Sequence, residues 1–311
     1  MHPATSVIFF TTASGAGYGL FLALVFSLNL GVWVGTPNNI LWTGVIAFIL
    51  VTSGLLSSML HLGHPERAWR ALSQWRSSWL SREGVLAILT YPPAFLYIFA
   101  LTYLEKTDGW VIGVGWGAAI LCFLTVYSTS MIYKSLKPIA AWANGFTTPV
   151  YLLMSITSGL LILHFLGVIF GDVSHKLSLA AILGLLIIGI IKILYWRFID
   201  ALIGISDLGT ATGLGAKGKV TPLEKPHTEE NYLMKEMGFQ IGRRHSRKLR
   251  KLFLSLWIFA ALLVALPYFV PIKSLEIFSL CALILSGISI SIERWLFFAE
   301  AKHTVALYYN G

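Results

Sequence analysis

The chain has 311 residues, 56% hydrophobic and 12% charged, with a formal net charge of +9 and a mean hydropathy of +0.75. Soluble domains carry roughly 25% charged residues, so this composition excludes an ordinary soluble enzyme. At about 20 residues per crossing, eight membrane helices would use about 160 residues and leave room for one substantial polar segment.

Long apolar runs lie in chain order at about residues 10–34, 39–60, 84–104, 110–133, 149–171, 177–199, 252–272 and 275–300. The leading MHPATSVIFF lacks the positive region and small-residue cleavage site of a signal peptide, so the first run is expected to stay as a span. Strands of a membrane barrel alternate in polarity over about ten residues. Here runs such as Ile182 to Leu194 read as apolar on every face. The expected fold is an all-α integral membrane protein, one domain over 1–311 with eight transmembrane helices and a basic insertion at 204–251.

The basic residues are distributed unevenly. Arg67, Arg70, Arg76 and Arg82 lie between spans two and three, Lys134 and Lys137 between four and five, and a dense run from Lys217 to Lys251 between six and seven. The alternate loops hold only Lys106, Lys176 and Lys273. By the positive-inside rule, the basic loops and both termini are expected to be cytoplasmic in a cell inner membrane. The charge thus reads as topology and contact with lipid phosphates, with no nucleic-acid partner. Within the insertion, 204–222 reads as loop. Beyond it Thr228 can cap a helix with Glu229 and Glu230 in its first turn and Leu233, Met237 and Ile241 along one face, an interfacial helix that also suits a polar partner surface.

Two familiar patterns fail in context. Gly213, Gly215 and Gly218 satisfy GxGxxG and GLGAKGKV nearly satisfies a P-loop, but no strand precedes them, and Val220 stands where a magnesium-binding hydroxyl belongs. Eight histidines invite a haem reading, yet His164 lies inside span five, His175 in an outer loop, and only His61 and His303 share a depth. Cys122 and Cys281 alone cannot hold an iron–sulfur cluster. Any cluster must come with a partner, and no haem or metal is expected in this chain.

The segment from Ser57 to Gly84, SSMLHLGHPERAWRALSQWRSSWLSREG, combines base, acid and aromatics at the membrane boundary. His61 ends one helix and Glu83 begins the next, with Arg67, Trp69, Arg70, Trp75, Arg76, Trp79 and Arg82 between them. Quinone chemistry needs an apolar slot, partners for two ring oxygens and groups that exchange two protons. A histidine and a desolvated carboxylate suit that exchange. Equally, Glu83 suits the positive N-terminal end of span three, His61 a helix cap, the arginines headgroup anchors and the tryptophans an aromatic belt. Glu293 and Arg294 lie deep in the last span, where an ionised side chain costs about 2.5–3.5 kcal/mol. They point about 100° apart, which allows them different partners in inter-helix hydrogen bonding or a proton path.

These residues resemble the membrane anchor subunits of dimethyl sulfoxide reductase type complexes, the DmsC family. The likeness is carried by SSMLHLGHPERAWRALSQWRSSWLSRE, IYKSLKPIAAWANGFTTP and ERWLFFAEAKHTVALYY. It implies a haem-free anchor that exchanges electrons between ubiquinone or menaquinone and an iron–sulfur subunit, itself joined to a molybdopterin catalytic subunit. The family's quinol-site histidine, arginine and acid fall on His61, Arg67 and Glu83. Tyr133 and Trp142 match recurrent positions of supporting role, and Trp69 and Arg82 are secondary candidates. The cytoplasmic placement of the His61 side departs from the dimethyl sulfoxide reductase itself. It is similar to anchors of cytoplasm-facing sulfite dehydrogenases, so reduction of quinone with electrons from sulfite is the expected role. The alternatives are a quinol-oxidising S-oxide reductase anchor, a haem b cytochrome subunit, and a non-redox anchor or transporter.

Overall fold

A computed structural model describes residues 4–60, 64–202, 207–224, 241–269 and 274–305. His61 and the expected helix at 228–240 lie outside the described residues. The described chain is helical without a strand. Its long helices are α1 (Thr5–Asn29), α2 (Pro37–Met59), α3 (Trp79–Thr102), α4 (Trp110–Lys134), α5 (Thr147–Ile169) and α6 (His175–Ala201). After a short α7 (Leu208–Thr212) come α8 (Ile241–Ala265) and α9 (Leu275–Ala299). Eight helices are long and apolar enough to cross a membrane.

Several helices extend beyond the apolar runs, and polar side chains that bond locally explain why. α1 starts at Thr5 rather than near residue 10, and within it Thr11 Oγ1 donates to the Val7 carbonyl at 3.0 Å and Ser14 Oγ to that of Phe10 at 2.6 Å. α3 starts at Trp79 because Ser78 Oγ accepts from Ser81 N at 3.5 Å. Thr36 caps α2 at 3.3 Å, with Pro37 in the first helical position. The loop read over 204–222 contains the one-turn α7, closed by a capping box between Asp207 and Thr210.

α1 is the hub. It packs on α2, α4, α5 and α9, and its crossing with α5 is so close that a Cβ on Gly159 would fall 2.0 Å from the Gly19 carbonyl carbon. α3 packs mainly on α4 and touches α2 sparsely, whereas α6, α8 and α9 form the other flank. At one end Ser174 Oγ donates to the Val32 carbonyl at 2.5 Å and Trp33 Nε1 to that of Asp172 at 3.2 Å, locking two turns together. The opposite end gathers the start of α1, the α2–α3, α4–α5 and α6–α8 connections and the end of α9. It carries most of the basic residues and forms the basic end of the bundle.

Candidate functional site

The α2–α3 connection runs through a 3-10 segment, Pro65–Gln74, on the bundle surface. Trp69 and Trp75 stand exposed, with the Arg70 and Arg76 guanidiniums 5.7 and 5.5 Å from their ring centres. Arg67 is also exposed, and its Nε lies 3.6 Å from Glu66. Arg82 folds back over the start of α3. Its Nε donates to the Trp75 carbonyl at 3.0 Å and its Nη2 to that of Arg76 at 2.6 Å, while the guanidinium covers the Trp79 ring at 4.2 Å.

One residue further on, Glu83 turns inward and is only 4% exposed. Thr129 Oγ1 of α4 donates to Glu83 Oε1 and lies 3.1 Å from the Thr125 carbonyl oxygen. Tyr18, Tyr133 and Tyr151, from α1, α4 and α5, lie within electrostatic reach of the carboxyl. Ser81 Oγ, at the same end of α3, is buried without a partner among the described residues.

About two turns further along α3, a crevice among α1, α2, α3 and α4 is lined by Tyr18, Phe48, Val51, Thr90 and Tyr91. Tyr91 stacks on Phe48 at 5.7 Å and exchanges a 2.7 Å hydrogen bond with Thr52. Exposed Ile49, Leu56 and Ile88 flank it on the outside. Its enclosed volume is about 10 Å³, so a ring-sized guest fits only in the lipid-facing groove, not within the bundle.

Tyr133 and Trp142 occupy a separate aromatic cluster with Tyr151, Phe297 and Phe298. Trp142 Nε1 donates to the Phe297 carbonyl at 2.8 Å, which ties the α4–α5 loop to the end of α9. Thus Glu83, Thr129 and Tyr133 approach one another in the interior, whereas Arg67 and Trp69 stay on the surface and Arg82 holds the loop.

The densest buried polar group was only half legible in the sequence. Lys192 of α6 donates to Glu293 Oε1 at 2.7 Å, and Arg294 Nε donates to Glu293 Oε2 at 2.5 Å. The adjacent pair therefore shares one carboxylate, and each residue also has a partner of its own. Arg294 covers the Tyr151 ring at 4.1 Å and Lys192 the Tyr195 ring at 4.0 Å. Lys192 sits inside the run read as apolar on every face; a single lysine in such a run was the available signal. Nearer the basic end, Arg250 of α8 bonds Glu300 at 2.8 Å and Asp200 at 2.8 Å. His164 pairs with Ser178 at 3.2 Å near the far end.

Eight helices among the described residues that are long and apolar enough to cross a membrane define a membrane-embedded protein. The sequence matches the family model of the DMSO reductase anchor subunit (DmsC) over residues 1–299, and the chain belongs to that family. It is a membrane anchor subunit of a DMSO reductase-family complex. It is also 31% identical, over 331 aligned positions covering 100% of this chain and 99% of the relative, to a sulfite dehydrogenase subunit of Allochromatium vinosum. No solved structure matches it.

Proposed function

We propose that this anchor binds quinone in the lipid-facing groove between α2 and α3 and passes it electrons from an iron–sulfur partner subunit. The observation that carries this reading is Glu83, a carboxyl sealed inside the bundle and held by Thr129, within electrostatic reach of Tyr18, which lines an aromatic crevice. The crevice supplies aromatic walls for a ring in the groove, and the buried carboxyl of Glu83 lies further inside, where it would exchange protons with the ring through intervening hydroxyls or water. Bound quinone would accept two electrons and two protons to become quinol. In this chain, Glu83 and His61 hold and deliver the protons, Arg67 draws the polar ring toward the boundary, and Phe48 and Tyr91 wall the slot.

The relative's name, a sulfite dehydrogenase subunit, favours sulfite as the electron source, oxidised by a molybdopterin partner. The basic loops favour a cytoplasmic location for this face in the inner membrane, with the basic 217–251 segment against the iron–sulfur subunit. Gentle purification from native membrane tests the assignment. Co-purification of an iron–sulfur and a molybdopterin subunit with sulfite-dependent quinone reduction is expected. Turnover with S-oxides but not sulfite would assign the other member of the family, and isolation as a lone functional chain would overturn the anchor role.

A further inference from the structure

Glu83 is sealed from water, so protons exchanged there must travel, and a series of charged side chains runs through the flank formed by α6, α8 and α9. Asp200, at the end of α6 near the basic end, is 55% exposed and binds Arg250, which binds Glu300. Glu300 lies two helical turns beyond Glu293 on α9, on the same face. Its Oε2 is buried with no hydrogen-bond partner among the described residues, and Lys192 lies within electrostatic reach. Lys192 leads to Glu293 and Arg294.

Arg294 then borders a cavity of about 20 Å³, room for about one water, lined in part by Thr11, Thr12, Ser14, Ser155 and Ser158, whose hydroxyls, Thr12 apart, donate to backbone carbonyls and keep acceptor capacity. Thr12 Oγ1, buried there, has no partner among the described residues. Thr129, the residue that holds Glu83, forms the opposite wall. The charges suit a carrier role: Lys192 and Arg294 against Glu293 leave one positive unit in the interior, which ionised Glu83 would balance.

We propose that Asp200, Glu300, Glu293 and the hydroxyl-lined cavity form a proton route between the aqueous basic end and Glu83. This rests on the quinone reading of Glu83. Along the route each carboxylate accepts a proton on one oxygen and releases one to the next acceptor, so one proton moves and only O–H bonds change. The cations Arg250, Lys192 and Arg294 hold the carboxylates in line, and a water in the cavity bridges to Thr129 and Glu83. Burial raises the Glu300 carboxyl above its ordinary value against the opposing pull of Arg250, while Asp200 adds to the rise, which suits a group that takes up and releases a proton.

The test uses the intact complex with sulfite and decylubiquinone, or dimethyl sulfoxide and reduced decylubiquinone if the complex runs that way. Glu300→Gln, the charge-balanced double variant Lys192→Met/Glu293→Gln and the isosteric Thr12→Val are compared with Glu83→Gln, and co-purification of the partner subunits reports assembly. Glu300→Gln and the double variant are expected to slow quinone-coupled turnover at least about tenfold at alkaline pH. The deficit should shrink at acid pH and on adding a small permeant weak acid, and Glu300→Asp should recover most of the rate. Thr12→Val should give a smaller loss with the same rescue. Parental rates in these variants while Glu83→Gln is impaired would overturn the route and leave the quinone reading intact. A pH-independent loss that weak acid does not rescue would also overturn it. A parental rate in Glu83→Gln would overturn the quinone reading itself.

Discussion

Lys192 Nζ and Glu293 Oε1 lie 2.7 Å apart although 101 positions separate them in the chain, and both side chains are essentially sealed from solvent. The two helices that bear them are thereby fixed in register. Removing one partner of a buried pair costs about 3–5 kcal/mol, because the other charge stays behind unpaired. Glu293→Gln strands two cations, Lys192 and Arg294, whereas Lys192→Met leaves Glu293 still held by Arg294. Thermal unfolding in detergent should therefore show Glu293→Gln as the more damaging single variant. The double variant should be more stable than Glu293→Gln alone by at least about 1 kcal/mol.

Glu83 and Thr129 give a functional counterpart. Glu83→Gln keeps a hydrogen-bonding group of the same size but removes the exchangeable carboxyl proton, and loss of a positioned acid or base lowers rates by about 10²–10⁴. Quinone-coupled turnover should fall while reduction of the complex's own clusters by substrate, followed spectroscopically, persists. Thr129→Val removes the donor to Glu83 without changing volume, and should shift the pH profile of quinone turnover rather than abolish it.

The contact of α1 with α5 tolerates no added carbon at its centre. A Cβ on Gly19 would fall 1.7 Å from the Ser155 carbonyl oxygen. The nearest atoms there are backbone, so neither helix can give way by a rotamer change alone. Gly19→Ala and Gly159→Ala should each cost at least about 1–3 kcal/mol, the usual range for overpacking. Gly113→Ala, facing open space on α4, should be neutral or slightly stabilising in the same thermal assay.

Arg82 clamps two carbonyls of its own loop with a planar fork, which lysine cannot reproduce. Arg82→Lys should loosen the connection ahead of α3 while the spans stay folded. Limited proteolysis between Trp75 and Trp79 should accelerate in detergent-solubilised protein. An unchanged cleavage rate would assign the hold on this loop to the Ser78 cap and the Trp79–Tyr127 contact.

The eight spans were legible because crossing a bilayer demands about 20 apolar residues, a requirement on composition that needs no knowledge of neighbours. Their ends were less so. The first span starts at Thr5, ahead of the apolar run read from about residue 10. Glu83 was identifiable as a carboxylate at a membrane boundary, at the other end of the connection that His61 opens in the sequence, and Glu293 and Arg294 as charges in an apolar run. Their partners were not identifiable, since Thr129, Tyr151 and Lys192 lie on other helices and carry no local mark of the pairing.

The sequence by itself thus determined the class of protein, the number of spans, the face that gathers basic charge and the motifs that place the chain in the anchor family. Hydropathy and charge act residue by residue and survive in one dimension. Only the tertiary structure decided that Glu83 faces the interior, that Arg67 and Trp69 remain outside, and that two cations from two helices meet at one carboxylate. It also linked Asp200, Glu300 and Glu293 through Arg250 and Lys192 on the flank formed by α6, α8 and α9. Such relationships depend on the rotation and crossing of helices, set by backbone contacts such as Gly19 with Gly159, and no linear pattern encodes them.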